Sequence, residues 1–344
     1  MAYFIQNLLR LLGFFLMLKY DKDFLKNNSY LLFFRSFGWI VLGLVLCFLI
    51  NNVLVVGLDY PIFYNIFNDF NKNPFLVLCL YIIGFFAPIF LVILSSTNSL
   101  RIDAKKLHEF NVYLVRAFFW SIIFTGLVDF IIAFMRVERI LPFLFNDYLT
   151  RALSRSIFVG LYIHLPLIFL GFVIAFFTRT IGFTWLALLI VVGELLIVIS
   201  RFIFSYEQSF MGDLVRYWYA ALFLYASAYT LYEDGHVRVD VFYASMKTKT
   251  KSFINAFGSI FLGASTCIAI IFFGLDGKRS IINSPILNFE VTQTGTVGMF
   301  IKYQMAGFLA IFAITMLIQF ISYYFISIAD YRNEPKISNN NQST

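Results

Sequence analysis

Nine consecutive residues, YEDGHVRVD at positions 232–240, hold three acids, a histidine and an arginine in a chain that is only 13% charged. His236 is the side chain type that changes charge near neutral pH. Gly235 is suited to end a helix in a left-handed cap. Beyond it, Val237, Val239 and Val241 alternate with His236, Arg238 and Asp240, so one side grips apolar surface and the other presents charge. On chemistry alone this is a solvated turn with headgroup contacts. Four further ionisable residues fall inside apolar runs: Arg116, Asp129, Glu194 and Arg201. Glu194 and Arg201 share a helix face but stand about 10 Å apart along the axis, too far for a direct pair. Such residues serve either a proton or ion relay or a buried interhelical pair. The second reading is favoured, because one carboxylate per helix traces no pathway.

Other chemistries lack their residues. A bis-histidine haem site needs two facing membrane histidines; only His164 lies in an apolar run, while His108 and His236 read as loop residues. No spacing of His, Cys and carboxylates suits zinc or a di-metal centre. Cys47, Cys79 and Cys267 each lie within an apolar run and read as small packing residues. Nucleophile elbow, Walker loop and dinucleotide-turn patterns are absent. The expectation is a protein that is not an enzyme and holds no cofactor or metal.

The elements that position these residues follow from composition. The 344 residues are 60% hydrophobic and 20% aromatic, with mean hydropathy +0.82, which places the chain in the membrane. Runs such as GWIVLGLVLCFLI are apolar on every side, so helices are expected and a barrel is not. The reading is all-α and polytopic, with about eight transmembrane helices near 31–56, 75–97, 111–135, 156–177, 184–204, 214–232, 252–275 and 301–328. An even number returns both termini to one side. Arg10, Lys19, Lys22, Lys26, Arg101, Lys105, Lys106, Arg179, Arg238, Lys247, Lys249, Lys251, Arg332 and Lys336 then lie on that side, which the positive-inside rule makes cytoplasmic. The net charge of +7 is thus a matter of topology and anionic lipid, and nucleic acid is not an expected partner. One loop disagrees: 135–155 is assigned outside yet carries Arg136, Arg139, Arg151 and Arg155. Either it lies along the membrane surface or one of the first four spans is wrong.

Smaller features complete the reading. The start, residues 1–26, has no small-residue cleavage site and suits a surface-lying amphipathic anchor. Ser259, Gly263 and Cys267 form a small-residue stripe for close helix packing, within the chain or between subunits. Tyr217, Trp218 and Tyr219 suit an interfacial aromatic belt. FGW at 37–39 echoes FTW at 183–185, and RID at 101–103 echoes RVD at 238–240. A parallel duplication of four helices would produce this, but so would two unrelated sets of hairpins.

The stretch FLYASAYTLYEDGHVRVDVFYASMKTKTKSFINAFGSIF resembles the signature of the small membrane (Q) subunit of TRAP (tripartite ATP-independent periplasmic) transporters. Upstream, ISRFIFSYEQSF resembles the close of that family's first helix. Downstream, GTVGMFIKYQMAGFLAIFAITMLIQFIS resembles its fourth, with Gly298, Lys302, Gly307 and Gln319 in familiar order. The resemblance covers about 183–330, preceded by an N-terminal membrane extension, 1–182, and followed by a polar tail, 331–344, expected to be disordered. It implies a scaffold subunit in the bacterial inner membrane that braces a large elevator-type subunit in sodium-coupled uptake of an organic anion. Its partners would be that large subunit, which carries the sodium sites, a periplasmic substrate-binding protein, and membrane lipids. Interface residues expected on this basis are Gly235, His236, Arg238, Asp240, Glu194, Arg201, Lys302 and Gln319. Two other functions remain open on the residues alone: a self-sufficient proton-coupled carrier using Asp129 and Glu194, and a membrane anchor in a redox complex.

Overall fold

The computed structural model describes residues 22–63, 74–95, 98–179, 182–233, 243–292 and 294–335. Its helices are α1 (Lys22–Leu58), α2 (Pro74–Leu94), α3 (Leu100–Val137), the short α4 (Leu141–Leu144) and α5 (Asp147–Leu153), and α6 (Ser156–Phe177). They continue with α7 (Phe183–Ile203), α8 (Ser209–Tyr232), α9 (Thr248–Gly274), the short α10 (Asn283–Leu287) and α11 (Lys302–Tyr331). No strand occurs among the described residues, as expected where the backbone must satisfy itself without water. Within α6 and α9, Gly160–His164 and Ser259–Ala264 are wound as single π-helical turns.

Seven of these helices are long and apolar enough to cross a membrane. The expected eighth span is α8, a 24-residue helix that misses that apolarity. Its outer neighbours explain why it need not be more apolar. Tyr217, Trp218 and Tyr225 are buried against α3 and α11, so little of the helix has to face lipid. This corrects the aromatic-belt reading of Tyr217 and Trp218, which are core residues; only Tyr219 is exposed. α8 still runs the length of the bundle: Tyr206, just before it, bonds Glu138 at the end of α3, and Tyr232 stacks on His108 near the start of α3.

α3 and α11 form the centre, antiparallel, with Asp330 beside Arg101 at one end and Phe300 beside Asp129 towards the other. α3 starts at Leu100, eleven residues before the expected span, because Ser99 caps it by accepting from the Ile102 amide. His108 is therefore helical, which corrects its assignment to a loop. Arg35 in α1 pairs with Asp103 at the same end as Arg101 and Asp330, so the first and last long helices share one face of the bundle.

All four of the first expected spans are present as helices, and the 135–155 segment forms the short α4 and α5 between α3 and α6. α4 and α5 bury Leu141, Ala152 and Leu153 and leave Phe143, Leu144 and Tyr148 exposed, an amphipathic arrangement. The small-residue stripe of α9 is internal: a Cβ on Gly263 would sit 2.6 Å from the Phe320 ring of α11. Cys47 and Cys267 are buried free thiols and Cys79 is partly buried, as packing residues should be. The start of the polar tail is pinned, since Glu334 N donates to Ala329 O and Arg101 reaches Glu334 O. Burial raises the Glu334 carboxyl above its ordinary range despite Arg332 and Arg101. Residues 1–21 and 336–344 lie outside the described residues.

Candidate functional site: a buried polar seam

Three groups of buried polar side chains run along α3. The largest begins at Asp129, which is fully buried. Its Oδ2 accepts from the Phe300 amide at 2.8 Å, and its Oδ1 lies 3.3 Å from His164 Nε2, out of line for a hydrogen bond. His164 sits in the π turn of α6, where its Nδ1 is 2.8 Å from the Tyr303 hydroxyl and 2.9 Å from Gln304 Nε2. Gln304 Oε1 accepts from the Tyr217 hydroxyl, which is 2.7 Å from that of Thr125. Because Gln304 donates through Nε2, His164 Nδ1 is the acceptor and its proton is carried on Nε2, facing Asp129. The cluster joins α3, α6, α8 and α11, and each group it buries finds a polar neighbour rather than lipid.

Beside it, the stretch leading into α11, with one 3-10 turn at Gly295–Val297, enters the bundle, where every peptide group needs a partner. Asp129 holds the Phe300 amide, and Asp213 of α8 holds the preceding one, Met299 N, at 3.2 Å. Thr292 donates to the same Asp213 oxygen at 3.1 Å. Arg136 at the end of α3 donates to Thr296 O at 2.7 Å and Gly298 O at 2.6 Å, with its guanidinium 3.9 Å from the centre of the Phe300 ring. Two carboxylates and one arginine thus clamp a single strap. Gly298 is required by the closeness of the fit, since a Cβ there would lie 2.6 Å from Asp213 Oδ2.

The second group lies where α3, α8 and α11 meet. Asn111 Nδ2 donates to Thr315 O at 3.0 Å and Gln319 Oε1 at 3.3 Å, and His108 Nδ1 is 3.3 Å from the same oxygen. His108, Asn111, Gln319 and Tyr229 line a cavity of about 10 Å³, at the lower limit for one water. The third group ties α1 and the end of α2 to α3. Arg35 Nε donates to Asp103 Oδ2 at 2.8 Å while its terminal nitrogens reach Ser95 O at 2.9 Å and Ser95 Oγ at 3.1 Å. Trp39 Nε1 adds a bond to the same Asp103 oxygen at 3.1 Å.

The expected site residues separate into five classes. Asp129 and Arg116 meet partners on another helix, as anticipated: Arg116 donates to the carbonyls of Ala175 and Thr178 at the end of α6, where a cation suits the helix dipole. Gln319 is 1% exposed and its bonds are internal to the chain. Arg201 finds its partner on its own chain, Glu207 at 3.4 Å in the turn after α7, and Lys302 pairs with Glu290 at 2.9 Å. Glu194 is exposed in the middle of α7. Gly235, His236, Arg238 and Asp240 lie outside the described residues. Asp129 and Glu194, the pair required by a self-sufficient carrier, do not converge: one is interior and the other faces outward.

Residues overlooked by sequence reasoning include Arg35, Asp103, Asp213, Tyr303 and Gln304. A usable signal existed for one pair only: Asp129 and His164 are each a single titratable group near the middle of an apolar run. No group of three or more His, Cys, Asp or Glu suited to a metal occurs among the described residues.

Comparison with known proteins places the C-terminal part of this seam. Residues 188–325 match the family model of the tripartite ATP-independent periplasmic transporters, DctQ component. No curated protein and no solved structure matches the chain. The matched stretch takes in most of α7, the whole of α8, α9 and α10, and most of α11, whereas Asp129, His164, Asn111 and Asp103 belong to helices before it. The resemblance read from the sequence therefore holds for residues 188–325, which are similar to the DctQ component, the small membrane component of TRAP transporters, and which follow an N-terminal extension of membrane helices.

Proposed function

We propose that this chain is the bracing subunit of a sodium-coupled TRAP-type transporter that takes up an organic anion across the bacterial inner membrane. In this reading a periplasmic binding protein delivers the solute, a large membrane subunit carries solute and sodium and moves, and the present chain holds its scaffold still. The observation that carries the reading is the DctQ match over 188–325. The buried polar seam supports it, because interior charges here are spent on fixing helices to one another, as a static strut requires. The basic end of the bundle, with Lys105, Lys106, Lys249 and Lys251, faces the cytoplasm by the positive-inside rule.

The test is dependence. Proteoliposomes containing this chain and a large TRAP membrane subunit, supplied with the soluble binding protein, should accumulate solute only on an inward sodium gradient. Omitting this chain should abolish uptake. Accumulation by the chain alone would overturn the proposal in favour of a self-sufficient carrier, and a haem spectrum in the purified protein would favour a redox anchor.

A further inference from the structure

Glu194 is the twelfth of the 21 residues of α7, about 17 Å along its axis. It is exposed and makes no hydrogen bond or ion pair with any described residue. The cation seven residues further on, Arg201, is already engaged by Glu207. The surrounding exposed side chains, Leu188, Val191, Leu195 and Val198, are apolar. An ionised carboxylate set among acyl chains costs several kcal/mol, and glutamate is too short to reach the headgroups from the middle of a span. Turning inward towards α8 offers no relief, since Gly193 is packed so closely there that a Cβ would lie 3.2 Å from Val215.

From this we infer that the Glu194 face of α7 docks against a transmembrane helix of the large subunit that presents an arginine, a lysine or several hydrogen-bond donors at the same depth. The inference rests on the proposed function and names the surface it uses. Charge complementarity selects the occupant: lipid supplies no cation at this depth, whereas a partner helix carrying one converts a cost into an anchor. A second copy of this chain is the other candidate with a cation to offer, through Arg216, which is exposed on α8. Arg216 lies within its helix's first turns and has a stem long enough to place its charge at the headgroups, so it does not need such a contact.

The experiment co-expresses the full chain with a large TRAP membrane subunit and measures the amount retained through mild-detergent purification, for wild type, Glu194→Gln and Glu194→Leu. Wild type retains the subunit, Gln retains part of it, and Leu loses about tenfold or more. Leucine is the residue a lipid-facing position prefers, so the Leu variant should remain monodisperse and melt at or above the wild-type temperature. Should that variant fail to fold, Glu194→Gln, nearly isosteric, carries the same comparison. Equal retention by all three overturns the inference and leaves the proposed function standing. A wild-type chain that retains no large subunit removes the proposed function and this inference together. Loss of a homodimer in native mass spectra of Glu194→Leu, with no change in retention, assigns the face to a second copy instead and likewise overturns it.

Discussion

α3 and α7 are both long, both apolar, and both interrupted by a carboxylate, yet they treat it in opposite ways. Half of the apolar stretch of α3 is buried and its Asp129 is closed in by Phe300 N and His164; of α7 only 11% is buried and its Glu194 faces outward. α3 lies before the segment that matches the transporter family and α7 lies largely within it. The deeper position therefore belongs to the added helix. One core cluster draws Phe119, Ile122 and Ile123 from α3 together with Tyr217, Trp218 and Phe308 from the matched segment. The helices before residue 182 are built into the bundle rather than set beside it.

If that contrast is right, interior carboxylates decide the stability of the purified chain and the outward one does not. The largest effect is expected for Asp129→Ala, which leaves the Phe300 amide without its acceptor and takes away the carboxylate 3.3 Å from His164. A loss of about 3 kcal/mol, read as a lowered melting temperature in detergent, is the expected outcome. An unchanged melt would mean that Asp129 is not the interior anchor described here. Next comes Gly298→Val, whose added carbons must displace Asp213, Thr292 and Thr294 from the strap. About 2 kcal/mol is expected, visible in the same melt. Gln319→Leu should cost about 1 kcal/mol, because Asn111 loses one of its two bonds and His108 its only acceptor on α11. At the bottom of the scale, Glu194→Leu in the chain alone should shift stability by less than about 0.5 kcal/mol in either direction. A large loss in that last variant would erase the distinction between the two helices.

The C-terminal end of α3 offers a different kind of check. Tyr206 donates to Glu138 at 2.6 Å, and burial, with that carboxylate beside it, pushes the phenol up to about 12. Its hydrogen bond is present below the ordinary phenol range near 10 and should be lost as pH rises through 12. Tyr206→Phe removes that alkaline dependence without touching the seam.

Much was legible without coordinates. A chain 60% hydrophobic with apolar runs near 20 residues has to be a helical membrane protein, since the bilayer leaves few other ways to satisfy a backbone. The ordered residues from 183 onward carried the family, which the match over 188–325 bears out. In the sequence the outward Glu194 and the buried Asp129 are indistinguishable, because a helical span reports its period but not which neighbour covers which face. Only packing separates them. Arg35 with Asp103 are 68 residues apart in sequence, and Asp129 with Phe300 are 171 apart. No local pattern encodes contacts at such separations; they exist because α1, α3 and α11 cross where they do. The same holds for Tyr217 and Trp218, whose composition suits a headgroup belt and whose position inside four helices makes them core. Residue type settled that this chain enters the membrane and which family model residues 188–325 match. Where each charge is spent was decided by the tertiary fold, because the cost of a charge in a bilayer depends on what stands within about 3 Å of it.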